Sequence, residues 1–310
     1  MALLDPTGRE IVYASDGDER FARRYFKDPN DHYIPGMTLV DYLGQAIGMD
    51  GKLPLWVGDM MLQLARNTPT PGKLPGMIRV NIRGSNPDVD TTTTPEEIWG
   101  AGGTYSFPSA ATAMEAVSDN VNDTNGGTGA RELRVNYLDD SWNPATQQVL
   151  MNGTTPVNLS VNPFRINQVR IDRVGSLLDA AGNIRIRAQG GGTTYAYIPI
   201  GEGFSSHGVY TVRAGYTLFL VSSLFSIIPK TRGDTVVLLQ SRQGMNAEEP
   251  WRTRWRIPLT VDGTSAGGFP TVIPHPMNET TDLRFRVSFA SANDMEISCH
   301  VQGIMIDNTL

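Results

Sequence analysis

Cysteine is almost missing from this sequence: Cys299 is the one thiol in 310 residues. That excludes an intrachain disulfide. Its place in Ile297-Ser-Cys-His-Val301, alternating with apolar residues, marks it as a small packed side chain and fits folding in a reducing cytosol. Charge is sparse as well, with 19% charged residues and a net charge of -6. An acidic chain lacks the concentrated basic face that phosphate neutralisation requires, so no nucleic-acid partner is expected. No apolar run is long enough to cross a bilayer, and Met1-Ala-Leu-Leu-Asp-Pro has neither the basic nor the apolar region of a signal peptide. Membrane insertion and ordinary export are therefore not expected.

Catalytic and cofactor motifs are missing too. His32, His207, His275 and His300 lie far apart in sequence, none in metal-ligand spacing, and read as isolated surface or loop histidines. Gly203-Phe-Ser-Ser-His207 fails as a nucleophile elbow because its fifth position is not glycine. Gly201-Glu-Gly203 fails as a dinucleotide loop because Ser206 replaces the third glycine. No enzyme, cofactor or metal site is read from the chain, although paired carboxylates of the glycosidase type need only meet in space and stay open. Ser118-Asp-Asn-Val-Asn-Asp-Thr-Asn-Gly-Gly127 is dense in oxygen ligands, yet no register matches a calcium loop; an ordinary turn-forming loop is favoured. Asp88 and Asp90 are a weaker ion candidate, and Arg232-Gly-Asp234 reads as a turn, not an adhesion site.

What is present is turn chemistry and alternation. Gly counts 32, Pro 20, and 40% hydrophobic content supports a sizeable core. This composition favours short strands joined by turns. Helical patterns are confined to the N-terminal part. Asp16 to Phe26 places Phe21 and Tyr25 one turn apart, Thr38 caps a segment carrying Leu39, Leu43, Ala46 and Ile47, and Pro54 to Asn67 carries Trp56, Met60, Met61 and Leu64. These short helices must dock on something else: either they cover an open end of the β domain, or they form an arm gripping a neighbouring subunit or larger assembly.

The chain changes character at Asn86 to Trp99. Asn86-Pro-Asp predicts an Asx turn, Thr91 to Thr94 an extended segment, and Thr94-Pro95-Glu96-Glu97 the start of a one-turn helix that seats Ile98 and Trp99 as an apolar plug. Beyond it, strands are predicted at 130–138, 146–151, 154–159, 167–174, 184–187, 193–200, 235–241, 251–259, 283–291 and 295–306, with two more inside 209–223. Asn152-Gly153 predicts a hairpin and Gly190-Gly-Gly192 a turn. In Trp251-Arg-Thr-Arg-Trp-Arg-Ile257 the residues Arg252, Arg254 and Arg256 face away from Trp251, Thr253, Trp255 and Ile257. In Leu283-Arg-Phe-Arg-Val-Ser-Phe289 the residues Arg284 and Arg286 oppose Leu283, Phe285, Val287 and Phe289. For each arginine face a solvated surface outweighs contact with an acidic partner. Trp142, Trp251 and Trp255 would stack on sugars if exposed, but their alternation favours core packing.

The order of features resembles a group of tailed-bacteriophage virion proteins, especially of short-tailed phages. The likeness rests on Asn86-Pro-Asp-Val-Asp-Thr-Thr-Thr-Thr-Pro-Glu-Glu-Ile-Trp, Gly103-Thr-Tyr-Ser-Phe-Pro108, Asn122-Asp-Thr with Gly127-Thr-Gly-Ala-Arg131, and Leu150-Met-Asn-Gly-Thr-Thr-Pro156. It continues through Asn183-Ile-Arg-Ile186 and Val209-Tyr-Thr-Val-Arg-Ala-Gly215, and it covers roughly 86–223. The resemblance implies a virion component made in the host cytoplasm, tail- or fibre-associated or head-decorating, with other virion proteins and copies of itself as partners and a host surface glycan as a further candidate. A capsid decoration protein and a carbohydrate-binding or glycan-degrading module are the rivals.

The expected architecture is all-β: antiparallel β-sandwich domains, jelly-roll or Ig-like, behind a partly helical N-terminal arm. The expected divisions are an arm over 1–85, a first β region over 86–200, and a second over 201–310 that can pack into the same sandwich. Trp99, Arg252, Arg254, Arg256, Arg284 and Arg286 are the interaction candidates.

Overall fold

The computed structural model describes residues 3–4, 10–14, 23–27, 33–36, 76–92, 95–229, 233–244, 249–261, 265–270 and 276–309. The chain divides into two compact units, Met1–Met60 and Met61–Leu310. In the first, β1 (Leu3–Leu4), β2 (Glu10–Ala14), β3 (Arg23–Lys27) and β4 (Tyr33–Gly36) form an antiparallel meander in chain order. The helix predicted over Asp16 to Phe26 is corrected in its last residues, which lie in β3 and pair with β2 and β4. The helices predicted over 38–47 and 54–67 lie outside the described residues.

The second unit opens with β5 (Met77–Val89), β6 (Glu96–Glu97), β7 (Met114–Ser118), β8 (Ala130–Leu138), β9 (Pro144–Leu150), β10 (Val157–Asn158), β11 (Arg165–Val174), β12 (Ile184–Ala188) and β13 (Thr194–Ile198). It closes with β14 (Val209–Thr211), β15 (Tyr216–Pro229), β16 (Gly233–Gln243), β17 (Arg252–Val261), β18 (Ser265–Pro270), β19 (Pro276–Met277), β20 (Thr281–Ala290) and β21 (Met295–Asp307). All pairings among these strands are antiparallel, and no helix occurs among the described residues.

Two separate cores result. One sheet in the order β18-β15-β21-β5, with β19 on β15, and another in the order β14-β20-β16-β17, with β6 on β20, share a core that includes Phe225, Phe285, Leu218, Leu239 and Ile297. The sheets β10-β7-β12-β13 and β11-β8-β9 share a second core around Met114, Leu133, Val135, Ile184 and Ile198. The second core, built from 112–200, interrupts the first. β5 runs across the expected 85/86 boundary, and β5, β6 and the 98–107 segment pack with β14, β15, β16, β20 and β21.

Bulges decide several faces. β15 buries Leu218 and Leu220, then Phe225 and Ile227, because a register shift between Leu220 and Ser222 moves the inward positions from even to odd. A shift between Val236 and Val237 inserts Ser288 as an extra residue in β20, so Leu283, Phe285 and Val287 stay buried while Phe289 is 49% exposed. The predicted four-residue apolar face is thereby corrected at its last member. Asn86-Pro-Asp does make its Asx contact, Asp88 N donating to Asn86 Oδ1 at 3.0 Å, but inside β5, where the shift between Met295 and Ile297 absorbs Pro87 and its missing N–H.

Two turn predictions split. The Gly190–Gly191 turn joins β12 to β13, with φ of 80° and 84° that side chains disfavour. The Asn152-Gly153 hairpin is corrected: Thr155 N bonds Asn152 O at 3.1 Å, but β9 pairs with β8 and β10 with β7. The turn hands the chain from one sheet to the other.

Candidate functional site

The junction between the two cores concentrates the charged and aromatic side chains. Arg165, the first residue of β11, is carried by the second core and reaches into the first. Its Nε and Nη2 donate to Asp282 Oδ1 and Oδ2 at 2.8 and 2.9 Å, and Nη1 donates to Pro108 O at 2.6 Å. Its guanidinium lies 4.1 Å from the Phe164 ring centre and 5.1 Å from that of Trp142. Both charges are buried, with side-chain exposures of 3% and 0%. The planar fork matches the carboxylate, and the aromatic faces replace water around the cation.

Beside it, Glu97 Oε1 lies 3.1 Å from Arg284 Nη1 and 3.8 Å from Arg286 Nε, while Tyr105 N donates to Glu97 Oε2 at 2.9 Å. Arg284 sits 4.0 Å over Trp251, and Arg242 4.7 Å over the same ring and 3.7 Å from Asp282. Burial, then the neighbouring Arg286, lowers Arg284 to about 10, which leaves it charged at neutral pH. Burial raises the Glu97 carboxyl, opposed by the Tyr105 N–H and the two arginines.

This network corrects the helix predicted from Pro95. Glu96–Glu97 pairs instead with Val287 and Arg286. Glu96 accepts from Asn86 Nδ2 and Gly103 N, and Glu97 from Arg284 and Tyr105. Inter-strand bonds and two buried carboxylates outweigh a local capping preference of about 1 kcal/mol. The plug itself is present: Ile98 and Trp99 are 0% and 5% exposed, and Trp99 Nε1 donates to Gly102 O at 2.6 Å. Trp99, Tyr105 and Phe107 stack edge to face in succession, at 5.3 and 4.9 Å between centres.

The predicted arginines separate into two groups. Arg284 and Arg286 are buried or half-buried in the junction, which corrects the solvated face expected for them; a carboxylate on β6 covers them. Arg252, Arg254 and Arg256 are exposed on β17, with Arg252 3.1 Å from Glu249 and Arg254 Nε donating to Ser241 Oγ at 2.7 Å. Arg165, Arg242 and Asp282 were not picked out by sequence reasoning, and Glu97 was read only as part of a helix start, because acids and arginines far apart in sequence carry no shared spacing signal. Trp142 and Trp251 line the same junction and stack on its arginines.

His207 is likewise no surface histidine. It is 2% exposed and stacks on Tyr105 at 6.2 Å; burial pushes it down to about 4, against the opposing influence of the backbone at Ile166 and Asn167. His300 lies on β21, while His32 and His275 lie outside the described residues.

The loop dense in oxygen ligands is committed to the protein itself. Asp123 Oδ1 accepts from Ala130 N and Ala181 N, both at 2.7 Å, and Oδ2 from Ser118 Oγ at 2.6 Å and Gly182 N at 3.0 Å. Asp88, Asp90 and Asp294 bring carboxylate oxygens within 4.8 Å of one another at the surface, and Asp294 N donates to Asp90 Oδ1.

Two grooves flank the junction. One, of about 360 Å³, runs between β5 and the outer face of β9-β8-β11; Arg79, Arg213, Asn136, Thr146 and Gln168 are among its walls. The other, of about 370 Å³, lies over β21 and β15, where Arg83 stacks on Phe204 at 4.4 Å. No helix among the described residues is long and apolar enough to cross a membrane.

No family model and no curated protein matches the chain. Solved structures similar to it include the cowpea mosaic virus empty virus-like particle, at 10% identity and a TM-score of 0.19 over 62% of this chain and 78% of that one. The T=1 particles derived from infectious bursal virus match at 11% identity and a TM-score of 0.23, over 80% of this chain and 75% of that one. The T13 IBDV viral particle matches at 11% identity and 0.23, over 74% and 68%. Scores of this size do not establish a common fold.

Proposed function

We propose that this protein is a non-enzymatic structural component of a tailed-bacteriophage virion, tail- or tail-fibre-associated, that assembles with copies of itself and with other virion proteins. The observation that carries the reading is the junction: Asp282 is engaged by Arg165 from the other core, while Glu97 with Arg284 and Arg286 holds β6 on β20 beside it, so buried charge is used structurally where the two cores meet. On this reading the paired sheets are β-sandwiches. A joint stiffened by buried ion pairs and aromatic stacking suits a part that transmits load through repeated contacts. The resemblance over 86–223 supplies the phage assignment, and an N-terminal unit ahead of the β cores suits anchoring to a larger organelle.

Quantitative mass spectrometry of purified virions tests the reading. A copy number equal to a small multiple of the tail symmetry is expected. One copy per capsomer site would replace the tail role with capsid decoration, and absence from particles would end the virion reading. Depolymerised product after incubation with host surface polysaccharide would overturn the non-enzymatic part.

A further inference from the structure

We propose that the groove beside β5 receives an extended, carboxylate-bearing polypeptide segment, which adds as a strand to the open edge of β5. The edge is identified by hydrogen-bond parity. Gly84 lies opposite His207 in an isolated antiparallel bridge, with Ser85 N donating to Ser206 O at 3.2 Å and Gly208 N to Arg83 O at 2.8 Å. Odd-numbered residues of β5 therefore turn their N–H and C=O groups away from β21. The register against β21 is unbroken from Met77 to Asn86, so Arg79 and Asn81 present theirs to the same side. Among the described residues nothing bonds these groups, and the groove wall runs along Ile78 to Asn81. Residues 206–208 already use the neighbouring positions as an added strand would.

The chemistry of the groove selects the segment. Among the described residues its walls include Arg79 and Arg213 and no Asp or Glu. Facing β5 is a side-chain ladder across β9, β8 and β11: Thr146 Oγ1 donates to Asn136 Oδ1 at 3.0 Å, and Asn136 Nδ2 to Gln168 Oε1 at 3.4 Å. Arg79 and Asn81 are exposed. A strand of about four residues, roughly 13 Å long, fits the open stretch. Main-chain bonds to Arg79 and Asn81 would supply affinity, and carboxylates on the segment would pair with Arg79 and Arg213. The two arginines also repel a basic strand. This inference goes beyond the virion reading and does not depend on it.

Fluorescence anisotropy of the full chain with a labelled decapeptide of alternating Glu and Thr tests it. Binding is expected, weakened about tenfold or more by Arg79→Glu combined with Arg213→Glu, and lost for the same peptide N-methylated at alternate amides. Asn81→Pro removes one outward N–H that no described residue uses, so it should weaken binding several-fold at unchanged melting temperature. Any of three results overturns the proposal: no binding, equal binding of the N-methylated peptide, or full displacement of the peptide by oligogalacturonate, which would mark a saccharide site.

Discussion

Arg165 and Asp282, 117 positions apart, meet through two parallel hydrogen bonds of 2.8 and 2.9 Å at the junction of the two cores. Arg165→Met leaves the Asp282 carboxylate buried beside Thr211, whose Oγ1 donates to it at 2.7 Å. The expected loss is about 3–5 kcal/mol, read as a fall of roughly 10 °C in melting temperature. The double variant Arg165→Met, Asp282→Leu should recover part of it, because the fully buried carboxylate is then gone, although Arg242, 3.7 Å from Asp282, loses its carboxylate neighbour and limits the recovery.

Gly84 is held by space. A Cβ there would collide with Ile98 O, and would lie 2.8 Å from Gly208 Cα and 2.9 Å from Cys299 Sγ. Two of these atoms are backbone and the third is a packed thiol, so none yields cheaply. Gly84→Ala is expected to cost several kcal/mol in urea unfolding, well above the 1–3 kcal/mol of ordinary overpacking.

His207 makes stability acid-sensitive. Its folded value of about 4 lies below the ordinary 6.5, so the unfolded chain binds the proton first as pH falls. The contribution is complete above 6.5, shrinks on descent toward 4, and is constant below, a change of at most about 3 kcal/mol. Glu97, raised by burial, works in the opposite direction. His207→Phe isolates the histidine: it should flatten the acid limb of melting temperature against pH while leaving the neutral value within about 3 °C.

Asp123 fastens three loops of the second core through Ala130 N, Ala181 N, Gly182 N and Ser118 Oγ. Asp123→Ala strands three backbone donors and should cost about 3 kcal/mol or more. Since both carboxylate oxygens are already engaged, calcium against chelator should move the melting temperature by less than about 1 °C, as calorimetry can read.

Much of the strand content was legible along the chain. Ala130 to Leu138 matches β8 residue for residue, and Met295 to Ile306 alternates as its buried face does. β5 escaped notice because Asn86-Pro-Asp read as a turn, and only pairing with β21 shows that a bulge accommodates Pro87 within the strand. β7 escaped because all five of its residues are buried, which removes alternation.

The sequence by itself determined the antiparallel β class, most strand positions and the burial of Ile98 and Trp99, since these follow from alternation, turn residues and apolar pattern. Tertiary structure decided which sheet each strand joins, where bulges flip a face, and that 112–200 forms a core interrupting another. It also decided that Glu97 pairs with Arg284 and Asp282 with Arg165. Such contacts join residues more than a hundred positions apart, and their strength comes from burial, which no local pattern encodes.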